Sequence, residues 1–445
     1  MVNPSTTSTV FLLLFLQLAA RAYSIGVNYG TLANNLPPPA TVANFIKTNT
    51  IIDRVKIFDV NPEIIQAFAN TGIPLTVTAP NSDISALADV NFARQWVQSH
   101  IKPFYPQTKI NYVLVGSEVL HWGDKIMFKK LVPAMKSLYN ALQAEGLTDI
   151  KVTTAHSLGI MRFTFPPSMG RFRPGFIKHQ LAPMLQFLRE TKAPFMVNPY
   201  PYFGFDPKNI NFPLFGRNRG VYDRHTKLHY TNQFDVLLDA VYSAMKAIGF
   251  ADVDIAVGET GWPSACDAWF CSPANAGTFN WHLVKHVEAG RGTPLMPNRR
   301  FETYIFALFN ENQKPGPVAE QNWGLFRPDF TPVYDSGIMR NGQQNTPVPV
   351  AQLPPAGGNN QYCVPKQGAS TQALQSNINY ACSQGIDCKP IQPGGACYVA
   401  NDVTAMATYA MNAYYQAKGH VDINCDFAGS GKVTNVNPSH GSCTM

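Results

Sequence analysis

Cysteine is missing from this chain until Cys266, and six of its eight cysteines lie between Cys363 and Cys443. The long first part must therefore be held by packing alone. The short tail has the make-up of a domain stapled by disulfides, and an even count suits an oxidising compartment. Blocks of like charge are also absent: the formal charge of +7 is spread along the chain, which argues against a nucleic-acid partner. Asn3 and Asn437 begin the only N-x-S/T patterns, each spoiled by a following proline, so N-glycosylation is not expected. No tandem repeat of fixed period occurs. The one marked apolar run, Val10 to Ala20, is too short to span a bilayer comfortably. With the small-x-small pattern Ala20-Arg21-Ala22 behind it, it reads as a secretory signal peptide over residues 1–22. The C-terminal HGSCTM lacks the apolar tail of a lipid-anchor signal. The expectation is a soluble, exported monomer without a membrane anchor, in the extracellular space or cell wall, with the vacuole as alternative.

What is present is a regular alternation of apolar and amphipathic segments. Strand-like runs fall at Ser24–Tyr29, Arg54–Phe58, Leu75–Ala79, Asn111–Val115, Lys151–Ala155, Phe195–Pro199, Asp254–Gly258 and Tyr304–Phe309. Helix-like stretches such as Leu131–Glu145 and Phe234–Ile248 lie between them. Eight strand–helix alternations make a parallel sheet, and eight is the number that closes a barrel. The fold class expected is α/β, a (β/α)8 TIM barrel over residues 23–335. Gly204–Thr231, polar and rich in Gly, Pro and Arg, reads as an enlarged loop on the active-site side after strand six. A Pro-rich linker is expected over residues 336–361, centred on PVPVAQLPPAGG. Beyond it, residues 362–445 predict a small, disulfide-rich, mostly helical domain. There Leu374, Ile378 and Ala381 form one apolar stripe, with Cys382 at its edge. Val403, Met406, Ala407, Ala410, Met411 and Tyr414 form another behind Asp402, an N-cap candidate.

Two glutamates stand where strand gives way to loop: Glu118 in YVLVGSEV and Glu259 in VGETGWPS. In a β/α barrel that end of the strands carries the active site. Two carboxyls facing each other across a cleft are what glycosidic bond cleavage requires, one as acid and one as base or nucleophile. Cys266 and Cys271, five residues apart just after the second strand end, have no adjoining Cys pair or His cluster. They read as a small disulfide ring rather than a metal site, and neither metal nor cofactor is expected.

The segments IGVNYG, RVKIFD, VNPYPYF, VGETGWPS, FALFNENQKPG and NWGLFRPD, taken in order, resemble plant endo-β-1,3-glucanases of glycoside hydrolase family 17 over roughly Ile25 to Tyr334. The six-cysteine spacing, PGGACY and NAYYQAKG in the tail resemble the plant carbohydrate-binding module of family 43. The first resemblance implies a retaining enzyme acting on β-1,3-glucan of the callose type, with Glu118 as proton donor and Glu259 as nucleophile. It also implies that Glu311, Lys314 and Glu320 line the site and that Tyr29, Tyr200 and Tyr202 face substrate. Lys314 is expected to lower the proton affinity of whichever carboxyl it touches. Glu302 reads as structural. The second resemblance implies the pairs Cys363–Cys425, Cys382–Cys388 and Cys397–Cys443; spacing alone allows fifteen pairings.

The chain departs from the family pattern in three places. Ser117 stands where asparagine usually precedes the donor, and that amide serves the sugar 2-hydroxyl. Gly258 replaces a common serine, and Tyr362 a common tryptophan ahead of the first tail cysteine. Tyr362, Tyr398, Tyr414, Tyr415 and Phe427 give the tail its aromatic surface. The leading expectation is a hydrolase. The alternatives are a glucan-binding wall protein with weak or lost catalysis, and a transglycosylase.

Overall fold

The computed structural model describes residues 25–340, 361–383, 386–400, 402–417, 425–427, 429–439 and 443. The expected signal peptide and the centre of the linker lie outside them. Eight parallel strands close into a barrel: β1 (Ile25–Tyr29), β2 (Ile52–Ile57), β3 (Leu75–Ala79), β4 (Ile110–Ser117), β5 (Lys151–Ser157), β6 (Phe195–Asn198), β7 (Ile255–Thr260) and β8 (Thr303–Ile305). Neighbours around the barrel are neighbours in sequence, and β8 pairs with β1 to close the ring. All eight strand-like runs of the sequence coincide with these strands. The edges differ by a few residues because register and hydrogen bonding, rather than apolarity, end a strand.

The helices follow from local signals. α1 (Pro39–Asn49) opens on Pro39, and α2 (Pro62–Ala67) on an Asn61 cap that accepts from the Glu63 and Ile64 amides. α3 (Val90–His100) and α4 (Val119–Trp122) precede the longest helix, α5 (Lys125–Ala144). Leu131, Ala134, Met135, Leu138, Ala141 and Leu142 recur at spacings of three and four along α5 and are buried. Each fully buried leucine contributes roughly 1.5–3 kcal/mol. The sequence pattern begins this helix at Leu131, yet it starts six residues earlier, because the Asp124 carboxylate caps the Ile126 and Met127 amides. α6 (Ala182–Thr191), α7 (Gln233–Ala247) and α8 (Pro273–Ala289) complete the shell.

The main core fills the space between strands and helices. Inside the barrel, Tyr112, Leu114, Ala155, Met196, Ala256 and Tyr304 form a separate plug. At the plug's lower edge, toward the strand N-termini, Glu302 accepts from Tyr112 OH at 3.1 Å and pairs with Arg54 at 2.6 Å, a structural role. The enlarged loop after β6 contains a short antiparallel ribbon, Val221–Asp223 with Leu228–Tyr230. Residues 336–340, expected as the start of the linker, pack on the barrel instead. Ile338 is buried, its carbonyl accepts from Ile51 N–H at 2.8 Å, and Met339 bridges Thr50. Composition suggested a linker there, but the chain still has an apolar anchor to bury.

The tail is a second unit, with helices α9 (Thr371–Ser383) and α10 (Val403–Ala417) and an antiparallel strand pair, Tyr362–Pro365 with Gly431–Thr434. Leu374, Ile378 and Ala381 meet Ala407, Ala410, Met411 and Tyr414 in its core, and Asp402 caps α10 through the Ala405 amide at 3.0 Å. Disulfides join Cys363 to Cys425, Cys382 to Cys388 and Cys397 to Cys443; the barrel carries Cys266–Cys271. Among the described residues, no helix is long and apolar enough to cross a membrane.

Candidate active site

β4 ends at Ser117, and the chain turns there through a left-handed residue, Glu118 (φ 50°, ψ 34°). A non-glycine residue in that region is uncommon, and such residues concentrate at functional sites. The turn is held by Glu118 N–H on the Ala155 carbonyl at 2.9 Å. It launches α4, which brings Trp122 back over the carboxyl: the indole N–H donates to Glu118 Oε2 at 3.0 Å. From the end of β6, Asn198 Nδ2 donates to Glu118 Oε1 at 2.8 Å. Burial, and then the negative charge of Glu259, push the Glu118 carboxyl above the usual glutamate range; the two donors and His121 pull it back.

Glu259 lies within β7 rather than in the loop beyond it, because the strand's pairing with β8 extends to Thr260. It is almost fully buried and faces the barrel interior. Lys56 on β2, fully buried, places its ammonium 3.0 Å from Glu259 Oε1 and donates to Asn28 Oδ1 at 2.8 Å. Asn28 is itself fixed by donating to the Gly258 and Ile305 carbonyls at 3.2 and 3.3 Å. Tyr200 OH donates to Glu259 Oε2 at 3.0 Å. Burial lowers Lys56 below the ordinary lysine range, and the adjacent Glu259 carboxylate opposes that. Tyr200 is held well above the usual phenol range by burial and by both glutamates, so it remains a hydrogen-bond donor.

The other expected residues divide. Glu311 is buried beside the pair, its Oε1 accepting from Leu32 N–H at 2.9 Å, and burial raises its proton affinity. A Cβ at Gly30 would lie 2.3 Å from that same oxygen, so only glycine lets the loop after β1 approach so closely. Lys314 bridges to Glu320 Oε2 at 2.9 Å and lies over the Phe306 ring, so its direct partner is Glu320 rather than either of the paired glutamates. The cation on Glu259 is Lys56. Tyr202 packs edge-on against Trp262 and Trp323, with its hydroxyl 3.6 Å from Cys271 Sγ; the small disulfide ring thus backs this wall. Tyr29 is only 2% exposed and packs on Phe309 in the outer core. Strand alternation explains this: Asn28 faces inward, so Tyr29 faces the helices. Ser117 is half-buried and clamped through its backbone, its N–H on Asn81 Oδ1 at 2.9 Å and its carbonyl accepting from Asn81 Nδ2 at 3.1 Å.

The family Glycosyl hydrolases family 17 matches residues 25–337, and the X8 domain matches residues 361–432. The chain belongs to glycosyl hydrolases family 17. A Triticum aestivum protein, glucan endo-1,3-beta-glucosidase, is 49% identical over 96% of this chain and 95% of its own length. Glucan endo-1,3-beta-D-glucosidase of Olea europaea is 43% identical over 100% of this chain and 98% of its own. Among solved structures, CJP38, a β-1,3-glucanase and allergen of Cryptomeria japonica pollen, aligns with 42% identity and a TM-score of 0.67 over 70% of this chain and 98% of that one.

Four residues of this family 17 site escaped the reading of the sequence: Lys56, Asn28, Asn198 and Trp122. A signal for Lys56 existed. In RVKIFD the lysine sits between Val55 and Ile57, so alternation sends it to the opposite side from them, into the barrel. A lysine sent there needs a carboxylate. Asn198 also accounts for Gly258: a Cβ there would lie 2.8 Å from Asn198 Oδ1. The Met196 side chain is as close, with its Cγ at 2.8 Å from the same point.

Proposed function

We propose that this chain is an exported endo-hydrolase of (1→3)-β-D-glucan that retains anomeric configuration, with Glu118 as proton donor and Glu259 as nucleophile. The observation that carries the reading is the unequal setting of the two carboxyls. Glu118 is raised by burial and by its neighbour's charge, which suits a group that must arrive protonated. Glu259 has an ammonium and a phenol hydroxyl on its two oxygens, which suits a group that must arrive charged. Glu118 then protonates the glycosidic oxygen while Glu259 attacks the anomeric carbon. Glu118, now a carboxylate, takes a proton from the water that releases the sugar. Substrate identity rests on the wheat and olive relatives, and export on the apolar leader in the sequence. The X8 tail is read as the module that holds the polymer.

The test is turnover of linear β-1,3-glucan by Glu259→Ala and Glu118→Gln, with product size and anomeric form resolved. Both variants should lose most activity while keeping the fold. Azide should restore turnover to Glu259→Ala with inverted product. Near-normal activity in Glu259→Ala, or inversion by the unaltered chain, would overturn the assignment. An unaltered chain that binds glucan without cleaving it would favour the wall-protein alternative.

A further inference from the structure

The helix shell holds a cavity of about 390 Å3, within the size range of small-molecule sites. Ser168 and Arg171 line it from the small hairpin after β5, Met161–Phe163 with Arg171–Phe172. Thr226 lines it from the turn of the ribbon after β6, and Tyr242 and Lys246 from the last turns of α7. Leu295, between α8 and β8, adds an apolar wall. Asp223 clamps the two loops together, its carboxylate accepting from Ser168 N–H at 2.9 Å and from Ser168 Oγ at 2.8 Å.

Charge at this cavity is unbalanced. Arg171 and Lys246 are exposed, and among the described residues neither pairs with a carboxylate. Between residues 151 and 189 the chain carries Lys151, Arg162, Arg171, Arg173, Lys178 and Arg189 but no Asp or Glu. Arg189 has Asp252 as its partner. Phe172 is buried, so alternation turns Arg171 and Arg173 outward on one face. Arg224 and Lys227, both exposed, stand on either side of Thr226 in the turn. The acids close by are already engaged. Asp223 is 1% exposed, and buried Asp239 accepts from Tyr230 OH at 2.9 Å and Leu295 N–H at 2.8 Å. Asp254 is held at 2.8 Å by Arg299, which stands 6.0 Å over the Tyr242 ring. Thr226 Oγ1 is buried and, among the described residues, has no hydrogen-bond partner, which is uncommon for a native hydroxyl.

A guanidinium matches a carboxylate with two parallel N–H groups. A lone hydroxyl calls for another hydroxyl, and Tyr242 with Leu295 offers apolar surface to a ring. A sugar acid satisfies all three. We infer that this cavity binds a uronate residue of an acidic polysaccharide, whose chain continues over the basic face of the hairpin. The C-terminal end of α7 opposes an anion with about half a charge, which two full cations outweigh. Glu118 and Glu259 lie at the barrel's interior end, so a matrix polymer held on the shell leaves them free.

The experiment titrates the full chain with linear polygalacturonate at low salt, and with dextran sulfate as a polyanion lacking carboxylates. The unaltered chain should bind polygalacturonate, more weakly as salt rises. Arg171→Gln and Lys246→Gln should each weaken that binding by about tenfold, the worth of one charge-assisted hydrogen bond. Thr226→Val keeps shape and charge, and should weaken polygalacturonate binding by about threefold while leaving dextran sulfate unmoved. Thermal unfolding and cleavage of short soluble β-1,3-gluco-oligosaccharides should be unchanged in all three variants. An absence of polygalacturonate binding, or full affinity in Arg171→Gln and Lys246→Gln, would overturn the inference. So would a Thr226→Val chain that binds polygalacturonate as before or loses both polymers alike, since the surface would then be a plain ion exchanger.

Discussion

Replacing Lys56 by methionine would test the electrostatic design of the site most directly. The side chain is wholly buried, with its ammonium 3.0 Å from Glu259 Oε1. At that distance, with an effective dielectric constant near 20, the gross attraction is roughly 5 kcal/mol. Part of it is offset because methionine spares the cost of burying an ammonium. What remains is a carboxylate left buried without its cation, which costs about 3–5 kcal/mol in stability. The sign with pH follows. Burial of a carboxylate with no cation beside it disfavours its charged form. The lost stability is therefore greatest where carboxylates are charged, at neutral pH, and shrinks toward acid. If Glu259 is the nucleophile proposed above, it must be charged to attack, and the acidic limb of kcat/KM should move to higher pH in the variant. Urea unfolding across pH reads the first effect, and a pH–rate profile the second. The double variant Lys56→Met/Glu259→Gln should regain most of the stability while remaining inactive. If Lys56→Met leaves the acidic limb where it was, Lys56 does not serve the Glu259 charge and the electrostatic argument is wrong.

Tyr200→Phe removes the hydroxyl 3.0 Å from Glu259 Oε2 and should lower kcat by about tenfold with little change in KM; a change confined to KM would make Tyr200 a binding residue only. Ser117→Asn supplies the amide that the family usually has before the donor, and steady-state kinetics should show a rise in kcat larger than any change in KM. An unchanged rate would mean that another group serves the sugar there. Deleting residues 357–445 should weaken action on insoluble β-1,3-glucan and leave cleavage of short soluble oligomers almost unaltered, since a tethered binding module raises local concentration only. Equal losses on both substrates would show that the tail supports the barrel itself.

The eight strands were legible in the sequence because a strand buried on both faces must be a short apolar run, and the runs recur between amphipathic helices. Leu75–Ala79 is bounded identically in sequence and structure. The tail was legible for a related reason: its stripes repeat at helical spacing, and Asp402 marks where α10 begins. Glu118 and Glu259 stood out because an ionisable residue at the end of a buried strand interrupts a local pattern. Tyr29 and the start of the linker misled because composition does not report direction. A tyrosine in a cleft and one beneath a helix are the same letter, and only the facing of Asn28 on the same strand decides between them. What the tertiary structure alone decided is which distant groups serve which carboxyl. Lys56 reaches Glu259 across 203 residues of chain, and Asn198 reaches Glu118 across 80. Those partners are set by the register in which eight strands close on one another. Register is a property of the whole ring, and no single segment carries it.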